Sequence, residues 1–306
     1  MQTLGEIRQM LDEADLRPRK QFGQNFLIDQ NLMHKLLELA ELGGEETVLE
    51  VGPGTGALTE ELLQRCRQVV AVEIDRPLAA LVERRLGGCD NVRVLAADVL
   101  AGKHSFDEQV LAALPGEVHL VANLPYSIAV PLLAQCLTFS WRARCAADTT
   151  AVPYFSRMTF TVQQELADKL TAGPGGKTYG PISVLVGLLG TVRMGPKAPA
   201  EAFWPRPKVA SRMVRIDFDD SAARQLADVD VLRAVTAAAF GHRRKQLGFL
   251  LRDSHSTLDA TALERALARA NIETAWRVER VRAEQFRTVA NVLADEAEKA
   301  GGKRAT

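Results

Sequence analysis

The sequence predicts an α/β protein: a mostly parallel sheet with helices on both faces, followed by a smaller all-helical C-terminal domain. Three observations predict it. Short apolar runs alternate with amphipathic stretches between residues 47 and 125, the first apolar run stops at a cluster of glycines, and nothing beyond residue 221 reads as a strand.

Taken in order, Leu4, Ile7, Leu11 and Ala14 recur at helical spacing, so residues 3–15 are expected to form an amphipathic helix. RPRKQFGQNFLID reads as a loop rich in basic, amide and aromatic side chains, and residues 30–42 as a second helix. The alternation then begins. TVLEVG (47–52), QVVAVEID (68–75), VRVLAAD (92–98) and EVHLVANLP (117–125) are short, apolar and abruptly ended, the signature of buried parallel strands. Between them, 57–66 and 77–86 are helical, the latter with Pro77 in its first turn, where its missing N–H costs nothing. Residues 158–170 open as a strand and continue as a helix. GPGGKTYGP (173–181) is a glycine-rich loop, ISVLVGLL (182–189) is expected to be a strand, and 203–218 is a proline-rich segment leading into an alternating strand. Residues 230–240, 263–271 and 283–300 are helical, and GGKRAT reads as a disordered tail. The expected division is therefore 1–221 for a catalytic domain and 222–306 for a helical one.

Composition narrows the function classes. Hydrophobic residues make up 47% and charged residues 25% of 306 positions, ordinary for a globular protein. Cys66, Cys89, Cys136 and Cys145 form no C-x-x-C pair and the histidines show no ligand spacing, which argues against a disulfide framework or a metal site. The opening MQTLGEIRQM lacks a signal-peptide pattern and no apolar run is long enough to span a bilayer, so no membrane association and a cytoplasmic location are expected. Lys plus Arg balance Asp plus Glu at 38 each, so any phosphate binding must come from local basic clusters. Three are candidates: Arg17, Arg19 and Lys20; Arg206 and Lys208; and Arg243, Arg244 and Lys245.

Parallel sheets of this type bind ligands at the carboxyl ends of their strands. Gly52, Gly54 and Gly56 form G-x-G-x-G between a strand and a helix, where glycine lets the backbone approach a ligand closely. The spacing differs from the dinucleotide G-x-G-x-x-G that sets a pyrophosphate on a helix N-terminus. It suits S-adenosylmethionine, which carries no phosphate. Glu73 ends the second strand, where a carboxylate can accept from both ribose hydroxyls, with Asp75 a neighbouring alternative; Asp98 ends the third, placed to accept from the adenine amino group. Strand-end acids also cap turns, and that plainer role stays open for each.

N-L-P-Y (123–126) follows the fourth strand. The exocyclic amine of adenine is a poor nucleophile because its lone pair is delocalised into the ring. Two acceptors that each take one N–H would reorient it: the Asn123 side-chain oxygen and the Leu124 carbonyl. Pro125 biases Leu124 to an extended conformation, which fixes that carbonyl. Tyr126 offers a ring face for a flipped base.

With these residues in place the chain resembles the ribosomal RNA small-subunit adenine dimethyltransferases, a family with a Rossmann-like methyltransferase sheet. The resemblance runs from about Lys20 to Phe286 through FGQNFL (22–27), VLEVGPGTGALT (48–59), VEID (72–75), NLPY, VQQE (162–165), YGPISV (179–184), FWPRPKVAS (203–211) and FGHRRK (240–245). It implies that Asn25 and Leu27 contact the cofactor, with Gln24 nearby, and that Gly52, Glu73 and Asp98 hold its amino-acid, ribose and adenine parts. Asn123 would touch both cofactor and target amine, Tyr126 would stack on the base, and Phe203 would form the second stacking wall. The implied substrate is a pair of neighbouring adenosines near the 3′ end of small-subunit ribosomal RNA, each dimethylated during subunit assembly; a monomer and no metal are expected. The chain departs from the family pattern at Ser127-Ile128-Ala129-Val130, at an apparent insertion (142–156) and at QLGFLL (246–251), where a more polar run is usual. Large-subunit adenine methyltransferases usually carry isoleucine where this chain has Leu124, and DNA adenine methyltransferases more often place Asp-Pro-Pro-Tyr at the fourth strand. A non-catalytic assembly factor would not need the intact glycine loop and N-L-P-Y.

Overall fold

The structure, a computed structural model, describes residues 2–102, 105–114, 116–146, 152–252 and 259–302. Helix α1 (Leu4–Glu13) leads through a loop to the short strand β1 (Phe26–Leu27) and α2 (Gln30–Ala40). The alternation predicted from the sequence follows as β2 (Thr47–Val51), α3 (Ala57–Leu62), β3 (Gln68–Val72), α4 (Arg76–Leu86), β4 (Val92–Leu95), α5 (Glu108–Ala113) and β5 (Glu117–Asn123). Next come α6 (Ala129–Cys145), β6 (Tyr154–Gln163), α7 (Gln164–Leu170), α8 (Pro181–Leu189), β7 (Gly190–Ala198), β8 (Phe203–Trp204) and β9 (Ser211–Phe218). The chain ends in α9 (Asp220–Ala223), α10 (Val229–Gly241), α11 (Ala260–Arg269) and α12 (Ala283–Gly302).

Among the described residues the main sheet has seven strands in the order β4-β3-β2-β5-β6-β9-β7. Strands β3 and β5 both pair parallel with β2, and β6 pairs parallel with β5, whereas β9 runs antiparallel to β6. The chain winds outward from β2 through β3 to β4, then returns to β5 on the other side of β2. The crevice beyond β2 and β5 is therefore the switch point where such sheets bind ligands. Every residue of β2 is buried, because helices cover both faces. On one side Leu32, Met33, Leu36 and Leu37 of α2 pack with Leu58 and Leu62 of α3 over Val48 and Val69. On the other, α6 is apolar almost all round and buries Leu132, Leu133, Cys136 and Leu137.

The chain clusters into two compact units: 1–143, 150–167 and 192–218 form the first, and 144–149, 168–191 and 219–306 the second. The second thus takes in 168–191 as well as the C-terminal helices, so the single cut expected at 221/222 becomes a boundary crossed several times. The reason lies in a correction to the secondary structure. ISVLVGLL, expected as a strand, is helix α8. An unbroken apolar run does not distinguish a buried strand from a buried helix. The residues before it decide: Pro181 opens the helix and the Ser183 hydroxyl accepts from the Gly180 N–H at 3.0 Å. In that second unit Phe240 meets Tyr179 edge-on (5.5 Å) and stacks on Phe286 (5.7 Å), and the buried Tyr179 hydroxyl donates to the Val281 carbonyl at 2.9 Å. Helix α12 continues through Gly302, the start of the expected tail; 303–306 lie outside the described residues, as do 147–151 in the middle of the stretch noted as an insertion.

A polar device on the first unit holds α2. Arg215, with its side chain 3% exposed, donates to both oxygens of Asp217 at 2.9 Å and to the Leu39 carbonyl at 3.2 Å, and pairs with Glu41 at 2.6 Å. Arg157 donates to the Ala40 carbonyl at 3.0 Å and to Asp217 at 2.9 Å. Two strand arginines therefore satisfy the carbonyls at the negative end of the helix. Removing one partner of a buried ion pair costs about 3–5 kcal/mol, and water reaching Glu41 lessens that. Arg215→Ala is expected to lower unfolding free energy by about 2–3 kcal/mol in urea titration, on the scale for partly buried ion pairs. Arg215→Lys is expected to recover little of this, since an ammonium lacks the planar fork.

Candidate active site

One cavity opens at the switch point, and its lining draws on the ends of four strands and the loop before α2. The walls include Gln24, Asn25 and Leu27; Gly52 and Gly54; Glu73 and Ile74; Asp98 and Val99; and Asn123 through Ile128. The structure thus brings together Asn25, Leu27, Gly52, Gly54, Glu73, Asp98, Asn123, Leu124, Pro125 and Tyr126.

Two expected members stand apart. Gly56 does not line the cavity: it precedes α3 with φ +84°, and a Cβ there would meet Leu86 at 3.2 Å, so its demand for glycine comes from packing behind the loop. Phe203, expected as a stacking wall, is 2% exposed and does not line the cavity either. Its strand β8 pairs antiparallel with β1, placing Phe203 opposite Leu27, and its ring joins the core cluster around α2. Leu27 belongs to the same cluster.

Glycine at position 54 has a definite cause. The residue sits at φ +61°, and a Cβ would lie 2.6 Å from the Phe26 ring, so only the missing side chain lets the loop and the ring meet. The Gly54 N–H then donates to Glu73 Oε2 at 3.2 Å, while the Asp75 N–H donates to Oε1 at 3.0 Å. Burial pushes the Glu73 carboxyl up to about 7, against those two N–H bonds that favour its charge. Asp75, the alternative to Glu73, is occupied elsewhere: it accepts from Gln24 Nε2 at 2.9 Å and Arg19 at 3.2 Å. That buried carboxylate ties down the 19–24 loop and does not line the cavity. One Asp98 oxygen accepts from the Leu100 N–H at 3.0 Å, the turn-capping role, and the residue also lines the cavity.

Asn123 is oriented by the donation of its Nδ2 to the Asn25 carbonyl at 2.8 Å. With the amide nitrogen committed to that bond, Oδ1 is the end left to accept. The Asn25 side chain in turn donates to the Gly23 carbonyl at 2.9 Å, stiffening the loop that receives Asn123. The Leu124 N–H is anchored to the Thr161 carbonyl at 3.2 Å, and the Tyr126 hydroxyl lies 2.7 Å from Ser211 Oγ. Burial raises the Tyr126 phenol further above its ordinary range, so the ring stays neutral.

Among the cavity residues to which the sequence reading gave no role are Glu50, Ile74 and Gln21. Glu50 is fully buried beneath the glycine loop, bonded to the Thr59 hydroxyl at 2.6 Å, and burial pushes its carboxyl up to about 8, so it is protonated at neutral pH. Its position inside an apolar strand was the available signal. Ile74 is 44% exposed beside Glu73, an apolar side chain left uncovered at the cavity edge. Gln21 reaches the lining only through the path of its loop.

A sequence profile described as "Ribosomal RNA adenine dimethylase" matches residues 16–295. The chain belongs to the ribosomal RNA adenine dimethylase family. It is 37% identical over 297 residues to the Ribosomal RNA small subunit methyltransferase A of Moorella thermoacetica, covering 95% of this chain and 98% of that protein. Like-named proteins of Phenylobacterium zucineum and Rhodococcus opacus are 36% and 39% identical, over 95% and 79% of this chain and 93% and 78% of theirs. Among solved structures, the 23S rRNA methyltransferase ErmE is 27% identical with a TM-score of 0.59, over 88% of this chain and 99% of that one. A dimethyladenosine transferase from Plasmodium falciparum has the same fold, with a TM-score of 0.64 at 21% identity, over 86% of this chain and 95% of that one. The Rossmann-like methyltransferase sheet expected from the sequence is the one this rRNA adenine dimethylase has.

For this family member, the basic clusters behave differently from one another. Arg17 pairs with Asp12, Arg19 with Asp75 and Arg206 with Glu201, so these cations are already partnered within the protein. In the second unit Arg243 lies over the Phe240 ring at 5.8 Å and Lys245 over Phe249 at 6.0 Å. Among the described residues no helix is long and apolar enough to cross a membrane, and no group of three His, Cys, Asp or Glu could hold a metal ion.

Proposed function

We propose that this enzyme transfers methyl groups from S-adenosylmethionine to N6 of two adjacent adenosines near the 3′ end of small-subunit ribosomal RNA, in the cytoplasm, as the subunit is assembled. The observation that carries the reading is the convergence of Glu73, Asp98, Asn123 and Tyr126 on one cavity from the ends of three different strands, β3, β4 and β5. The names of the curated relatives support the choice of the small subunit.

The residues fit the cofactor. The buried Glu73 carboxylate sits where two hydroxyls can share its oxygens, Asp98 offers an acceptor for an amino group, and Ile74 and Val99 supply apolar surface for a flat ring. When bound, S-adenosylmethionine supplies a methyl group already activated by the positive sulfonium. The protein then has to orient the amine and keep water away. Asn123 Oδ1 accepts one N–H and the Leu124 carbonyl the other, turning the nitrogen lone pair out of the ring plane. Tyr126, held through Ser211, covers the extruded base. No strong base is required, because the methylated nitrogen is acidic and gives up its proton to solvent after transfer. Positioning and charge complementarity carry the rate.

The test is labelled-methyl transfer to small ribosomal subunits from dimethylation-deficient cells, with large subunits alongside. Dimethyladenosine on the small subunit alone is the expected result. Label on the large subunit overturns the substrate, and no transfer despite particle binding points instead to an assembly factor.

A further inference from the structure

The glycine loop has only two residues with side chains between Gly52 and Gly56, Pro53 and Thr55. All three glycines hold positive φ, so the loop lies in a conformation that an isolated chain leaves readily. Beside the Gly54–Glu73 bond, one fastening comes from Gln2. Gln2 and Thr55 form a reciprocal pair: Thr55 Oγ1 donates to Gln2 Oε1 at 2.7 Å, and Gln2 Nε2 donates to the Thr55 carbonyl at 3.2 Å. Both residues are buried, with Gln2 6% and Thr55 1% exposed, so neither exchanges these bonds for water. Arg85 also donates to the Thr55 carbonyl, but among the described residues the Thr55 hydroxyl is bonded by Gln2 alone.

The sequence places Gln2 with some rigidity. It immediately precedes a capping box in which the Thr3 N–H donates to Glu6 at 2.6 Å and the Glu6 N–H donates back to the Thr3 hydroxyl at 3.3 Å. The helix that follows buries Ile7 and Leu11 against Phe26, Leu78 and Leu81. Phe26 is also the ring that Gly54 abuts. Helix α1 and the residue before its cap thus back the loop twice, through the Gln2 amide on Thr55 and through the Phe26 ring on Gly54.

We propose that Gln2 is a positioning residue for the cofactor, fixing the glycine loop through the Thr55 hydroxyl before the cofactor arrives. The inference rests on the cofactor reading given above. Preorganisation of a binding loop strengthens affinity by removing the ordering cost, and leaves the chemical step untouched.

The experiment is calorimetric titration of the full chain with S-adenosylhomocysteine, paired with hydrogen exchange of the 52–56 amides and steady-state methyl transfer. Gln2→Ala is expected to weaken Kd and raise the S-adenosylmethionine KM about tenfold, the scale of one lost buried hydrogen-bond pair, with kcat within about twofold. Loop amides are expected to exchange about tenfold faster in the free protein, on the same scale. Thr55→Val is expected to match it, and the double variant to be no worse than either single one, since both remove one interaction. Gln2→Glu keeps the acceptor for the Thr55 hydroxyl but sets a carboxylate oxygen against the Thr55 carbonyl in a buried site, and is expected to recover little of the loss. Unchanged Kd and exchange in Gln2→Ala, beside tight binding by the unaltered chain, overturn the proposal alone. A parallel fall in kcat also overturns it, because general loosening moves both parameters. Absence of binding by the unaltered chain overturns the cofactor reading and this proposal with it.

Discussion

Replacing Asn123 by alanine is expected to slow single-turnover methyl transfer by about 10³-fold, the scale of losing one preorganised group that acts at the reacting centre. S-adenosylhomocysteine binding should stay within about tenfold, as expected for loss of one neutral hydrogen bond. The asymmetry follows from the geometry. The Asn123 side chain spends its donor on the Asn25 carbonyl at 2.8 Å, so its oxygen is presented to the cavity by a loop that is itself braced. Alanine deletes the acceptor that holds the amine out of conjugation, while Glu73, Asp98 and the glycine loop still line the cavity. Asn123→Asp is the sharper variant. Its carboxylate accepts well but cannot donate to the Asn25 carbonyl, so the side chain swings away and the rate should remain low. Rapid-quench measurement on small subunits reads both. An alanine variant that transfers methyl groups at the unaltered rate would remove Asn123 from the chemistry.

Cofactor affinity should depend on pH through Glu73. Burial raises its carboxyl from the ordinary 4.5 to about 7 in the free protein. A ligand that donates two hydroxyls to this group prefers the ionised form. Binding is therefore tight above pH 7 and weakens as protonation competes, about tenfold between pH 8 and pH 6 for a single group with this pKa. Folding responds in the opposite sense. Between about 4.5 and about 7 the unfolded chain has given up a proton that the native protein keeps, so the free protein loses stability as pH rises through that window. Glu50, raised to about 8, extends the decline upward. Glu73→Gln keeps one acceptor and loses the charge. It is expected to bind S-adenosylhomocysteine about 100-fold more weakly at pH 8, the value of charge-assisted bonds to two hydroxyls. The pH dependence of binding should then be flat. Titration calorimetry at pH 6 and pH 8 measures both, and equal affinities for the unaltered chain at the two values would separate Glu73 from ligand recognition.

Much of this was readable without coordinates, for local reasons. The strands β2, β3, β4 and β5 announced themselves because each is a short, mainly apolar run set between helical stretches, the first of them stopped by glycine. The glycine loop, Glu73, Asp98 and N-L-P-Y were readable because a parallel sheet aligns the carboxyl ends of successive strands, so residues just past each strand must converge. What remained illegible depended either on capping that periodicity does not record or on partners distant in the chain. An apolar octapeptide became helix α8 because Gly180, Pro181 and Ser183 cap it, a decision periodicity alone does not record. Phe203 turned into the core because β8 pairs with β1, 176 positions earlier for the Leu27 contact. Asp75 and Glu73, two residues apart and chemically alike, parted company only when Arg19 and Gln24 claimed one of them. The sequence determined which elements form and which chemical groups arrive at the strand ends, because backbone propensity and side-chain periodicity act within a few residues. The tertiary structure decided which of those groups are occupied and which are left facing the cavity. That depends on hydrogen bonds and packing between segments such as Gln2 and Thr55, whose meeting no local pattern encodes.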